Sequence, residues 1–216
     1  MASRLLPVLI TLLALVPAVA LAAAPAPAPL VEGQDYVLIE NGAPYAPLNG
    51  KVEVVEVFGY TCVHCAHFEP TLAAWKKTLP KDVRLTPVPA AFGGYWIPYA
   101  RAFFAARQLG VQERTHQAVF DALHKNGTLP IQNASADEIA AFYATQGVDL
   151  AKFTAALRGE QVDQQLERAR EWAAAADIEG TPSIIVNGKY RVIGGRNYSD
   201  MLKIVDRLIA RERARK

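Results

Sequence analysis

Cysteine is nearly absent from this chain: there are two in 216 residues, Cys62 and Cys65, with two positions between them. A scaffold stapled by disulfides needs several, placed to close long loops, and this pair closes almost none. Charge of one sign is missing too. Lys and Arg number 23 against 21 Asp and Glu, a net charge of +2, so nothing points to a nucleic-acid partner. Histidine is scarce. His64 and His67 sit beside the cysteines in "CVHCAH", but His116 and His124 fall in a helical stretch at no ligand spacing and read as ordinary helix-surface residues. A zinc site of four ligands therefore lacks its second pair, and no metal is expected. After residue 22 no apolar run is long enough to cross a bilayer, and no repeat of 20–50 residues is visible.

The one long apolar run, "LLPVLITLLALVPAVALA" (5–22), follows a single positive charge at Arg4 and ends in small residues. Residues 1–22 read as a cleavable export signal, cut after Ala20 or Ala22, with Pro7 and Pro17 arguing against a permanent membrane anchor. Residues 23–32, with "APAPAPL" among them, read as a stiff spacer. The basic end "IARERARK" suits the C-terminal dipole of a solvated helix.

Strand patterns occur at "YVLIE" (36–40), "KVEVVEVFGY" (51–60) and "DVRLTPVP" (82–89), the second almost continuously apolar as for a strand buried on both faces. A helix is predicted over Cys62–Leu79, with Phe68, Leu72 and Trp75 on one face. Between Ile97 and Ala176 the period becomes helical through five segments, and Ser135 with Glu138 forms a capping box. "SIIVN" and "KYRVIGG" around Asn187-Gly188 read as a hairpin, and a last helix is expected from an N-cap near Ser199-Asp200. The order is strand, strand, helix, strand, helical block, hairpin, helix: an α/β domain from residues 33–95 and 177–212 with an all-helical insertion over 96–176.

Gly59-Tyr60-Thr61 ends a strand and Cys62 opens a helix. There the first thiol faces unpaired backbone N–H groups and the positive end of the helix dipole, both of which favour thiolate. Cys65, one turn on, is placed to be the less exposed resolving thiol. Exchange through a mixed disulfide at Cys62 follows, with no cofactor beyond the Cys62–Cys65 disulfide itself.

A second feature, "GTPSIIVNG", places Thr181-Pro182 directly before a strand. This arrangement resembles the thioredoxin superfamily, in which the proline follows a cis bond and packs against the CxxC. Pro70, five residues after Cys65, matches that superfamily's kinked active-site helix. The signal, "FxxxCxHC", the helical block and "GTPxxxVNGKY" taken together resemble the DsbA family over about residues 33–210. The resemblance implies a thioredoxin-like fold with a helical insertion and a periplasmic enzyme, expected to be monomeric, that donates its disulfide to unfolded or newly exported cysteine-containing proteins and is reoxidised by a DsbB-like membrane quinone reductase. It makes Cys62 the nucleophile, Cys65 its buried partner, His64 a stabiliser of the thiolate and Glu56 a buried acid that handles protons. It also gives Thr181 and Pro182 the task of pairing with an extended substrate.

Two positions depart from the family pattern. Val63 stands where a proline is usual, and Pro87 where some members carry a lysine opposite the buried acid; without that partner Glu56 should have a raised pKa. The aromatic stretch "AAFGGYWIPYA" (90–100) either lines an apolar groove for substrates or joins the two lobes through Tyr95 and Trp96. The competing functions are a reductase or isomerase using the same thiols, and a copper carrier holding metal with Cys62, Cys65 and His64.

Overall fold

The computed structural model describes residues 28–215; residues 1–22, read as the export signal, and residues 23–27 of the spacer lie outside them. Five strands form one sheet: β1 (Tyr36–Leu38), β2 (Val52–Phe58), β3 (Val83–Pro89), β4 (Ser183–Val186) and β5 (Tyr190–Val192), in the order β1-β5-β4-β2-β3. β2 and β3 run parallel and the remaining pairs antiparallel. Helix α1 (Val63–Lys76) follows β2 and α7 (Tyr198–Arg213) ends the fold. Five helices lie between β3 and β4: α2 (Trp96–Gln108), α3 (Gln112–His124), α4 (Ala136–Thr145), α5 (Leu150–Leu157) and α6 (Glu160–Ala175).

Every residue of β2 is buried, and its side chains enter two different cores. Val52 and Val54 pack with Phe68, Leu72 and Trp75 of α1 and with Leu202, Val205 and Leu208 of α7. Val55 and Val57 face the core that continues into the helical block, through Phe103, Phe120 and Tyr143. A strand sandwiched this way must be apolar on both faces, which removes the two-residue alternation of a half-exposed strand. Glu53 and Glu56 interrupt it in different ways. Glu53 accepts from Arg84 at 2.7 Å, from Thr86 Oγ1 at 2.9 Å and from the Ala46 N–H at 3.2 Å, so its charge is fully engaged. Among the described residues the Glu56 carboxyl accepts no hydrogen bond and forms no ion pair.

Local signals place most boundaries within two or three residues. Ser135 and Glu138 make the reciprocal capping box at α4. The last helix starts earlier than expected: Asn197 is its N-cap, its side chain accepting from the Asp200 N–H at 2.9 Å. Asparagine is as favourable an N-cap as serine or aspartate and satisfies the same unpaired backbone donor. At Asn187-Gly188 both residues have positive φ, 51° and 68°, the geometry a two-residue hairpin turn demands.

Gly59 matters for packing. A methyl group there would lie 2.0 Å from Cζ3 of Trp96, so the indole lies directly on the backbone that leads into the cysteines. Trp96 is half-buried and packs on the main core, while Tyr95 and Phe92 remain exposed at 42% and 44%. The aromatic stretch is thus divided between core and surface. Trp96 joins the lobes, and Phe92 and Tyr95 extend from its ring into solvent.

Candidate active site

The strand-to-helix turn after β2 puts Cys62 at the N-cap of α1 in extended conformation, with φ −88° and ψ 114°. Its N–H donates to Gly59 O at 3.0 Å and its carbonyl accepts the first helical bond from Ala66. The side chain is left over the open end of the helix, where Sγ accepts from the Cys65 N–H at 3.4 Å. The cysteines are free thiols, Cys62 half-buried and Cys65 fully buried. A cis peptide joins Thr181 to Pro182, and the Thr181 carbonyl lies 3.5 Å from Cys62 Sγ. One turn of helix and one loop more than a hundred residues away therefore meet at a single sulfur.

The two thiols are driven apart electrostatically. Donation from Cys65, with help from Thr181 and the backbone N–H groups of Cys65 and His64, holds the Cys62 thiol down to about 5, against the opposing effect of partial burial. Burial pushes the Cys65 thiol far up, and its bond to Cys62 adds to that. The result is one thiolate at the surface and one protonated thiol behind it.

His64 is exposed and its imidazole has no hydrogen-bond partner among the described residues; the residue acts on the sulfur through its backbone N–H. Its carbonyl accepts from Tyr198 OH at 3.0 Å, and the Tyr198 ring packs on Phe68 at 4.9 Å, tying the start of α7 to the start of α1. Val63 is exposed at 45% between the cysteines.

Glu56 lies two residues before the end of β2 and is 2% exposed, with Pro87 beside it in register on β3. Burial raises its carboxyl well above the ordinary carboxylate range, and the charges of Glu69 and Cys62 push the same way. An acid raised on folding costs stability as pH climbs above its unfolded value near 4.5. Glu56→Gln should therefore raise the denaturant midpoint at pH 7, and the gain should fade as pH falls to 4; urea titrations at both pH values check this.

Sequence reasoning missed two histidines, which are not surface residues. His116 Nδ1 lies 2.7 Å from Tyr60 OH, and His124 Nε2 lies 2.7 Å from the Tyr60 carbonyl. Both turn inward because α3 packs against the end of β2, with Phe120 between them on the same face. Their spacing of eight residues, with an apolar residue midway, is the signal that could have shown this.

A family model described as thioredoxin matches residues 42–207. The thiol:disulfide interchange protein DsbA of Pseudomonas aeruginosa is 40% identical over 184 residues, covering 84% of this chain and 85% of that protein. The chain belongs to the DsbA family. The DsbA of Bordetella parapertussis is 39% identical over 204 residues, 92% of this chain and 96% of its own length. The crystal structure of the DsbA oxidoreductase from Xylella fastidiosa superposes with a TM-score of 0.83 at 52% identity, covering 86% of this chain and 98% of that one. The fold is accordingly thioredoxin-like, and the chemistry of a DsbA is thiol–disulfide exchange, the reaction that a CxxC with one thiolate and one buried thiol is built to run.

Proposed function

We propose that the chain works as a periplasmic dithiol oxidase, passing its Cys62–Cys65 disulfide to unfolded, newly exported proteins. The observation that carries this is the depressed thiol of Cys62. Reduction creates that thiolate, so whatever stabilises it makes the disulfide a stronger oxidant.

A substrate thiolate attacks Cys62 Sγ. The Cys62–Cys65 bond breaks, its electron pair goes to Cys65 Sγ, and Cys65 takes up a proton. A second substrate thiolate then attacks the substrate sulfur of the mixed disulfide, and Cys62 leaves as the stabilised thiolate. Two electrons have moved from the substrate dithiol to the enzyme. Thr181, with Pro182 fixing its geometry, offers backbone beside Cys62 for an extended chain, and Phe92, Tyr95 and Val63 give apolar contact to an unfolded one. Glu56, its carboxyl raised by burial and within electrostatic reach of Cys62, can supply the Cys65 proton. In this reading residues 33–95 and 177–212 carry the chemistry and the insertion over 96–176 supports the binding face. The protein acts as a monomer, and a DsbB-like membrane quinone reductase restores the disulfide.

The test is oxidative folding. The oxidised protein, added stoichiometrically to a reduced, unfolded two-cysteine client at pH 7, should leave the client disulfide-bonded and itself fully reduced. A client that stays reduced contradicts the proposal.

A further inference from the structure

Residues of α1, α3, β2 and β3 enclose a cavity of about 530 Å³, partly open to solvent. Acid–base side chains from three elements stand on its wall. Glu56 from β2, Glu69 from α1 and His116 from α3 all border it. His116 is held at both ring nitrogens: Nδ1 lies 2.7 Å from Tyr60 OH and Nε2 lies 3.4 Å from Glu69 Oε2. Both partners of that ion pair are largely buried, at 11% and 13% exposure. Phe58 and Phe120 flank the imidazole edge-on, with centroids at 5.2 Å. A histidine caged this tightly has one orientation and a fixed route for its protons.

The exchange reaction needs such a route. Cys65 is a poor leaving group because burial disfavours its thiolate, and exchange rates fall as the leaving thiol becomes less acidic. Glu56 can give up one proton as the Cys62–Cys65 bond opens, but it has no hydrogen-bond partner among the described residues from which to recover it. The cavity is many times larger than the space one water requires, and His116 stands on the same wall as the buried carboxyl.

We propose that His116, held by Glu69 and Tyr60, is the positioning and proton-relay residue that resupplies Glu56 from solvent during reduction of the Cys62–Cys65 disulfide. The proposal rests on the oxidase reading and deepens it. The relay takes a proton from solvent at the imidazole, passes one across the cavity to Glu56, and ends with Cys65 as a thiol. The Glu69 carboxylate balances the imidazolium while the ring is charged. Tyr60 does not compete for the proton, because burial keeps its phenol protonated. The other groups facing the imidazole side of the cavity are few. From α1 and the residue after it come Lys76 and Lys77, and from α3 itself Glu113, which pairs with Lys76 at 2.8 Å. β3 presents only Leu85 and Pro87, without charge.

The experiment follows reduction of the oxidised protein by dithiothreitol in a stopped-flow instrument from pH 4.5 to 8, after correction for ionisation of the reagent. The wild type should show a pH-dependent limb beyond what ionisation of the reagent accounts for. His116→Gln should lose that limb and react about 10-fold more slowly at its maximum, at the low end of what removing an acid–base group costs. Glu69→Gln, which leaves the Tyr60 bond in place, should lose the limb as well. His116→Ala opens room beside the cavity, and added imidazole should restore its rate. An unchanged profile in both Gln variants, or no rescue by imidazole, overturns the relay. A wild-type disulfide reduced no faster than that of a free peptide overturns the oxidase reading instead, so the two failures are separable.

Discussion

At pH 6 the Cys65→Ala protein should react with a thiol-alkylating reagent at least ~10³-fold faster than the Cys62→Ala protein, and neither should oxidise a client. The asymmetry follows from the two environments. With its thiol held down to about 5, Cys62 is roughly nine-tenths thiolate at pH 6, whereas an ordinary cysteine near 8.5 is ionised well below about 1%. Cys65 is buried and its thiol is pushed upward, so it is both unreachable and un-ionised. Part of the gain from ionisation is returned, because nucleophilicity falls with pKa, but access decides the comparison between these two sulfurs. Removal of Cys65 withdraws the largest of the thiolate's donors and so lessens the ionisation of Cys62 in that variant, while the backbone N–H of residue 65, which donates to Cys62 Sγ at 3.4 Å, survives the substitution. Mass spectrometry of the alkylated variants over time gives both rates. Comparable rates for the two would mean that the thiols share their charge and that no single nucleophile exists.

Reduction should stabilise this protein, the reverse of the usual effect of breaking a disulfide. The bridge spans a loop among the shortest a disulfide can close, so it constrains the unfolded chain little. The reduced fold, by contrast, gains the Cys62 thiolate. A thiol depressed on folding contributes stability that is complete above its unfolded value of 9.0 and disappears as pH falls through its folded value near 5. Two pH units separate pH 7 from 5, and at about 1.36 kcal/mol each they amount to about 2.7 kcal/mol at most, less after allowance for solvent screening at a half-exposed sulfur. Cys65 adds no slope in this window because it is a thiol in both folded and unfolded chains. Glu56 is present in both redox forms, so its own burial largely cancels. The reduced form should therefore melt above the oxidised form at pH 7 and lose several degrees of that lead by pH 5. Paired thermal scans at the two pH values decide it, and a lead independent of pH would contradict the thiolate account.

Much of this was readable from residue order. The CxxC at a strand-to-helix junction, Thr181-Pro182 before a strand and the change of period after Ile97 each carry a local physical meaning, and each lies where that meaning requires. The inward carboxylates of β2 were readable as anomalies, but not as different ones. That Glu53 finds Arg84 and Thr86 while Glu56 finds no partner depends on strand register, since Arg84 lies beside Glu53 and Pro87 beside Glu56. The roles of His116 and His124 were hidden for a related reason. Their partner is Tyr60, 56 and 64 residues earlier, and helical periodicity shows that a face is buried without showing what it meets. His64 illustrates the opposite limit. Its place between the cysteines draws attention to the imidazole, yet the contact with the sulfur is made by its backbone.

The most direct test of the central claim is the redox equilibrium of Cys62 and Cys65 in glutathione buffers at pH 7. A dithiol oxidase should come to equilibrium near about −120 mV, the value that characterises DsbA itself and is carried over here from the family. A potential near that of thioredoxin, about −270 mV, would make the protein a reductase and contradict the assignment.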